Sequence, residues 1–240
     1  GTSANTAYWS NTTGNSEAAL LTNEGLIDWN TIIDNNIASL TGSKAIVSNA
    51  TNSHDWYGFL TSLNTKFNDI QLTIGLDGRY YKGYHYEEIN DLLGGSYYLD
   101  SRNINRDPGT PLQVGDKFSY HNLGIALWGG MFVQAEYITD KFSAFVSATG
   151  SDNSYQRIDY FQYTEGNQVS EWASFFTYSI KGGANYNLTD NLNIFANGGY
   201  FTRAPYFNAV FFNNTNTINS NVEIEDVASA ELGIGYDSKL

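Results

Sequence analysis

The sequence contains no cysteine and few charged residues, and both shortages limit what the protein can be. Without cysteine there can be no disulfide framework, no thiolate nucleophile and no metal site with cysteine ligands. Charged residues make up 15% of the chain, against about 25% in typical soluble domains. Lysine and arginine total 12 against 25 acidic residues, and the net charge of -13 opposes binding to a phosphate backbone. We therefore expect no nucleic-acid partner.

Long hydrophobic runs are also missing. The longest apolar stretch, residues 125–133, is nine residues long and is interrupted by Gly129 and Gly130. A membrane-spanning helix needs about 20 apolar residues, so the sequence excludes helical membrane spans. It does not exclude a β-barrel, whose strands alternate lipid-facing and water-facing residues and are polar on average.

Catalytic signatures are absent as well. The sequence has no H-E-x-x-H motif, no G-x-S-x-G motif, no P-loop and no G-x-G-x-x-G fingerprint after a strand. We therefore predict that the chain is not an enzyme and that it carries no catalytic residue and no cofactor.

The sequence does contain a repeated alternation of apolar and polar residues from Trp56 onward. This period of two is typical of β-strands with one buried or lipid-facing side. It predicts seven strands, near residues 54–68, 70–86, 125–138, 141–158, 172–188, 192–203 and 224–236. Residues 1–52 are rich in Asn, Thr, Ser and Gly and lack a sustained period of either 2 or 3.6 residues. The predicted organisation is an extracellular loop region at 1–53 and a β-barrel segment at 54–240.

The connections between the predicted strands alternate in length. One end has tight turns, at residues 68–69, 139–140 and 189–191. The other end has long polar loops, at residues 87–124, 150–171 and 204–221. Outer-membrane barrels have this form, with short periplasmic turns and longer extracellular loops. The predicted fold is therefore an all-β, antiparallel, up-and-down transmembrane β-barrel in the cell outer membrane. Bacterial single-chain barrels have an even number of strands, so seven strands lead us to expect a fragment, an incomplete barrel.

The apolar face of these strands is expected to contact outer-membrane lipid. Glycine and small polar residues on the opposite face suit a water-filled lumen. Aromatic residues, 15% of the chain, would form girdles near both ends of the apolar face. The predicted lipid-facing residues are Tyr57, Phe59, Leu63, Ile70, Leu72, Ile74, Leu76, Met131, Val133, Tyr137, Phe142, Val146, Phe176, Tyr178, Ile180, Tyr186, Ile194, Tyr200, Leu232, Ile234 and Tyr236.

Several stretches of the chain together resemble a known family. They are residues 75–86 (GLDGRYYKGYHY), 91–95 (DLLGG), 128–137 (WGGMFVQAEY), 199–211 (GYFTRAPYFNAVF) and 229–236 (SAELGIGY). As a group they resemble the β-barrel region of TonB-dependent outer-membrane receptors of the Bacteroidetes type, over most of residues 54–240.

The resemblance implies a receptor that binds an extracellular small ligand or glycan and imports it across the outer membrane. Energy would come from TonB through a plug region that is not present in this chain, and a lipoprotein lid is a further expected partner. Arg203, Pro205 and Glu231 match family positions, which the resemblance implies are barrel residues without a catalytic role.

Three histidines suggest a metal site. In the predicted topology His54, His85 and His121 approach the same rim on neighbouring strands, and three imidazoles could bind zinc or copper. The favoured alternative is that they act as interfacial side chains in an aromatic-rich rim, and we assign no metal ligand from the sequence.

The acidic residues Glu87, Glu88 and Asp91 could form paired carboxylates for glycosidic cleavage. The favoured alternative is a solvated acidic patch, because no second carboxylate can be placed opposite them. Residues 103–109 are rich in oxygen ligands but lack the spacing of a calcium loop, so the Asp107-Pro108-Gly109 stretch predicts a turn.

Aromatic residues in the predicted loops are candidates for stacking on sugars or iron chelates. The alternative for the same residues is packing within the loops, and the sequence leaves both open. They are Tyr97, Tyr98, Tyr155, Tyr160, Tyr163 and Phe207.

The main alternative to a receptor is a secreted all-β carbohydrate-binding or adhesion module. In that case the same alternation would build a two-sheet sandwich that buries Tyr57, Ile74 and Tyr178 in its core.

Overall fold

The computed structural model describes Leu20 and residues 22–237. Seven β-strands make up most of it. The elements are α1 (Trp29–Ala38), β1 (Val47–Phe67), β2 (Ile70–Asp91), β3 (Lys117–Ile138), β4 (Phe142–Asp159), β5 (Ala173–Thr189), β6 (Leu192–Arg203), α2 (Phe207–Val210), a short 3-10 helix (Phe212–Asn214) and β7 (Glu225–Tyr236). Within these residues, no helix combines the length and the apolar character that a membrane span requires.

The strands form one sheet in the order β1-β2-β3-β4-β5-β6-β7, so every strand pairs with its neighbours in sequence. The sheet is not closed, and β1 and β7 are its edge strands. The predicted fold class, an antiparallel up-and-down arrangement that matches an incomplete β-barrel, is confirmed. The described strands do not form the two packed sheets that the sandwich alternative requires.

Three strands extend further than the alternation predicts, and the first of them, β1, already begins at Val47. Strand β2 continues to Asp91 and β3 already begins at Lys117. In these extensions some polar side chains are buried by hydrogen bonding: Ser48 Oγ donates to Glu87 Oε1 at 2.7 Å, and Arg102 donates to Ser119 Oγ. A search for apolar residues at every second position does not detect such a strand, because polar residues interrupt its buried apolar positions.

The contacts divide the chain into two compact units. The described residues of the first unit are 20, 22–54, 83–124 and 157–170. Its hydrophobic core is formed by Ile46, Ile89, Leu92, Tyr98, Leu112 and Phe118. Part of the predicted loop region, residues 22–53, thus contains α1 and the start of β1, while residues 1–19 lie outside the described residues. The division of the chain at residue 53 stays a prediction.

Helix α1 begins at an aspartate cap and is held in place by one buried asparagine. Asp28 Oδ1 accepts a hydrogen bond from the Thr31 backbone N–H at 3.1 Å, which satisfies one of the free donors at the helix start. Asn36, 2% exposed, lies on the inner side of the helix. Its amide donates to the carbonyls of Ala45, Leu92 and Leu93, and its Oδ1 accepts from the backbone N–H groups of Lys44 and Ala45. This side chain therefore ties three backbone segments of the first unit together.

The second unit consists of residues 55–82, 125–156 and 171–237 of the described chain. All the predicted lipid-facing residues belong to it. A smaller cluster packs around Ala173, Val210 and Phe211, with Tyr155, Phe175, Phe207, Ile218 and Val222 against it. The remaining strand segments bury little on their apolar side, and Phe176 (64%) and Leu232 (87%) are strongly exposed.

The register of β4 to β7 aligns the apolar face across strands. Tyr186 of β5 pairs with Phe142 of β4 and with Ile194 of β6, and Ile194 pairs with Ile234 of β7. Directly paired residues point to the same side of a sheet. These four predicted lipid-facing residues therefore form one continuous row, and their contact with lipid stays a prediction.

Candidate functional site

The opposite face of the sheet, here called the polar face, can be assigned from close approaches between strands. A side chain at Gly130 of β3 would contact Asp77 of β2 and Ser151 of β4, so these positions point to the same side. Every second residue along a strand shares that side. Arg79 of β2 and Trp128 of β3 therefore also lie on the polar face.

Large rings on the polar face lie over glycines of the neighbouring strand. Phe195 of β6 pairs with Gly233 of β7, and Phe145 of β4 pairs with Gly183 of β5. A methyl group at either glycine would collide with the ring opposite it. Because glycine has no side chain, these positions leave the space that the rings occupy.

A recess of about 340 Å³ opens on the polar face between β1 and β4. Its volume falls within the range of small-molecule sites, roughly 300 to 1,000 Å³. The functional side chains that line it are Trp56, Arg79, Tyr81, Trp128, Asn153 and Tyr155. We name these six residues the aromatic recess.

Contacts with neighbouring strands and with α2 hold most of the aromatic recess in place. The guanidinium of Arg79 lies over the indole of Trp128, 4.6 Å from the ring centroid, in cation–π geometry. Asn153 Nδ2 donates to Thr177 Oγ1 at 3.0 Å. The Tyr155 ring packs against Phe207, with 6.1 Å between centroids. Trp56, 63% exposed, offers an accessible indole face beside them.

Arg79 differs from the other arginines of the chain in its partners. Arg106, Arg157 and Arg203 form ion pairs with Asp100, Asp159 and Glu225, and Arg102 donates to the hydroxyl of Ser119. Arg79 pairs with no carboxylate among residues 22–237 and contacts an aromatic ring instead. The recess therefore presents a positive charge that is available to a ligand.

A second, larger groove of about 520 Å³ lies on the polar face between β3 and β6. Its polar lining includes Gln134, Glu136, Asn185 and Asn197. These side chains bond to one another or to neighbours: Gln134 donates to Glu136, and Asn197 Nδ2 donates to Glu231 Oε2 at 3.1 Å. The amide groups of this groove therefore already have hydrogen-bond partners within the protein, and its lining contains no lysine or arginine.

The three-histidine metal site is not formed. The described residues, which include His54, His85 and His121, contain no group of three ligating side chains that could hold a metal ion. His85 Nδ1 lies 2.6 Å from Asn52 Oδ1, and His121 is enclosed by the rings of Tyr86, Tyr160 and Phe161. The histidines were expected to converge because they lie on neighbouring strands, but each is engaged by its own local partners.

His121 is held neutral by its surroundings. Lys117 Nζ lies 3.2 Å from His121 Nε2 and 4.1 Å from the Tyr86 ring centroid. Burial of the imidazole, together with the neighbouring Lys117 ammonium, lowers the pKa of His121 from 6.5 to about 4, against a smaller opposing effect of Asp159. A neutral imidazole can accept the hydrogen bond that Lys117 donates, whereas a protonated one would place two cations side by side.

We expect the first unit to lose stability in acid because of His121. Its pKa is lower in the folded state than in the unfolded chain, so its contribution is complete above pH 6.5 and is lost as the pH falls toward 4. His121→Phe should flatten this part of the profile, and Lys117→Met should reduce it by removing the adjacent charge. Hydrogen exchange of residues 117–124 between pH 7 and 4 measures the effect. An unchanged acid dependence in His121→Phe would contradict it.

The predicted acidic patch is only partly solvated. Glu87 is buried and accepts the hydrogen bond from Ser48, so the prediction of a solvated carboxylate is wrong for this residue. Glu87 and Glu88 are successive residues of β2 and point to opposite sides of the strand, which excludes a catalytic pair. The turn predicted at Asp107 is confirmed, because its Oδ1 accepts from the Gly109 backbone N–H at 2.9 Å.

Several aromatic residues of the predicted loops are packing residues. Tyr98 is 3% exposed and contacts Phe118 edge-on, and Phe207 lies in α2 against Phe211. Tyr160 stacks on His121 at 4.5 Å between centroids. Tyr155, where the predicted fourth strand and the predicted loop overlap, is on β4 and belongs to the aromatic recess. The sequence analysis did not predict the recess. The one indication in the sequence was Arg79, a charged residue that alternates with the apolar residues of β2.

Comparison with known proteins identifies the fold and no more. No protein-family model matches the chain, and neither does a curated protein sequence. Among solved structures, the chain is similar to the copper transporter OprC, with a TM-score of 0.60 at 13% sequence identity. The match covers 81% of this chain but 29% of the OprC chain, so the chain spans less than a third of that transporter.

Proposed function

We propose that this chain forms part of the barrel wall of an outer-membrane, TonB-dependent receptor, which binds a ligand outside the cell and imports it. The observation that carries the proposal is the single up-and-down sheet with one apolar and one polar face. A sheet of this kind fits a barrel wall between lipid and a wet lumen. The shared fold with a transporter and the family resemblance of residues 75–86 and 199–211 support it.

The proposed partners follow from the same role. Outer-membrane lipid would cover the apolar face, and TonB would act through the plug region of the receptor. The Bacteroidetes type, a glycan ligand and a lipoprotein lid rest on the sequence resemblance. OprC transports copper, whereas the described residues of this chain place no three ligating side chains together. We therefore extend transport, and not copper, to this chain, and assign it no enzymatic step.

Fractionation of source cells tests the location. An antibody raised against residues 92–116 should detect a band in the outer-membrane fraction whose electrophoretic mobility changes on boiling, because folded barrels resist denaturation by detergent. A band found only in the soluble or secreted fraction, with mobility unaffected by boiling, would overturn the proposal and favour the secreted binding module.

Cysteine scanning tests which face of the sheet contacts water. Because the chain has no natural cysteine, each introduced cysteine is the only one in it that can react. Single cysteines at Phe132 and Gln134, on the polar face, should react with a water-soluble maleimide in intact membranes. Cysteines at Met131 and Val133 should react at least about tenfold more slowly, because thiolate formation and reagent access both require water. Equal reactivity at all four positions of β3 would show that the faces are not separated by lipid.

A further inference from the structure

The aromatic recess combines one cation with several flat rings, and this combination restricts what it can bind. We infer that it takes a small acid in which a carboxylate is attached to a ring, and the inference rests on the proposed function because it names the ligand class of that receptor. The guanidinium of Arg79 would pair with the carboxylate, and the exposed indole of Trp56 would stack on the ring.

The position of Arg79 is the first step of the argument. In a chain of net charge -13, three of the five arginines are neutralised by carboxylates in the structure. Arg79 is exposed on the polar face, and its guanidinium is held beside the Trp128 ring, 4.6 Å from the ring centroid. A planar fork held in this way matches the two oxygens of a carboxylate.

The rings are the second step. Trp56, Tyr81, Trp128 and Tyr155 come from four neighbouring strands and line a single recess. Trp128 already carries the guanidinium on its face, so Trp56 is the indole with a face available for a ligand ring. Aromatic side chains stack equally on aromatic rings and on the C–H faces of sugars. The shared chemistry is therefore a ring-bearing carboxylate, from either a sugar acid or an aromatic acid.

The electrostatics of the chain limit the ligand further. The second groove on the same face is lined by amides and by Glu136 and offers no cation in its lining. A polyanion that extended from the recess into this second groove would therefore meet the carboxylate of Glu136 and no cation in the groove lining. A ligand with one carboxylate gains the interaction with Arg79 without this repulsion.

The test is a titration of the intact protein, purified from membranes in detergent, followed by tryptophan fluorescence. The probes are glucuronate and benzoate, each paired with its uncharged analogue, glucose and benzyl alcohol. We expect one of the two acids to bind and to quench fluorescence, and its uncharged analogue to bind at least about tenfold more weakly. Tighter binding of glucuronate identifies a sugar acid, and tighter binding of benzoate identifies an aromatic acid.

Variants assign the binding to the recess. Arg79→Gln should weaken binding of the acid at least about tenfold, Arg79→Lys should restore it only in part because the planar fork is lost, and Trp56→Leu should also weaken it. Arg203→Gln is the matched control, since Arg203 is an exposed arginine already paired with Glu225. Failure of both acids to bind, or equal affinity in Arg79→Gln, would overturn the inference. An outer-membrane location with no acid binding rejects the ligand class alone, whereas Arg79-dependent binding by a soluble protein rejects the receptor alone.

Discussion

Val133→Arg should lower the unfolding free energy of the complete barrel by about 2 to 4 kcal/mol, the cost of a cation at the lipid-facing midplane. Val133 lies in the predicted lipid-facing series of β3, between Met131 and Tyr137, and is exposed in the described chain. Lipid around this position would offer the guanidinium no hydrogen-bond partner. Reversible urea unfolding in lipid vesicles, followed by tryptophan fluorescence, measures the change. Leu72→Arg and Ile194→Arg should act in the same direction.

The matched control for this experiment is the next residue of the same strand. Gln134 has the same depth but points to the polar face, where it donates to Glu136. Arginine at this position would meet water and a carboxylate, so Gln134→Arg should change the unfolding free energy by less than about 1 kcal/mol. Similar losses in the two variants, or no loss in Val133→Arg, would show that the apolar face does not meet lipid.

Asn36→Ala should have a comparable effect within the first unit, about 3 kcal/mol on local opening. The substitution removes every hydrogen bond through which this side chain joins α1 to the backbone of residues 44–45 and 92–93. Some of those backbone groups would stay buried without a partner. At about 1.4 kcal/mol per factor of ten, the population of the opened state should rise roughly 100-fold.

Limited proteolysis of the loop at residues 92–116 measures this opening, because cleavage follows the population of the open state. Asn35→Ala is the control, since Asn35 precedes Asn36 in the same helix and is exposed. It should leave the cleavage rate almost unchanged. A rate in Asn36→Ala equal to that of the control would mean that the hydrogen bonds of Asn36 do not hold the first unit together.

The strands and their faces could be predicted from sequence because both depend on local alternation. Strand β6 lies at residues 192–203, as its alternation predicts, since Ile194 and Tyr200 recur in step with the pleat. The early start of β3 could not be predicted in this way, because Ser119 is buried through its hydrogen bond with Arg102 and carries no apolar signal. Helix α1 could not be predicted from an apolar period either, because it is short and one of its buried residues is the polar Asn36.

The candidate site could be predicted much less well than the fold. The aromatic recess depends on which residues of different strands become neighbours, and the stacking of Arg79 on Trp128 is a cross-strand contact that no short motif encodes. The histidines show the converse error. Their sequence positions suggested one rim, but the surroundings of His121 are set by rings from β2 and from the segment after β4, which the alternation does not describe.

The ring-over-glycine pairs of the polar face have a consequence for barrel assembly. If β7 slipped by one residue against β6, the ring of Phe195 would face Leu232 or Ile234 instead of Gly233, and the apolar row would turn toward water. The same slip between β4 and β5 would place Gly182 or Ala184 opposite Phe145, so this pair selects the register less strictly. The Phe195–Gly233 pair therefore fits only when β6 and β7 are correctly aligned. Ring and glycine should accordingly be inherited together, and a larger residue at Gly233 should be tolerated once Phe195 is replaced by a small one.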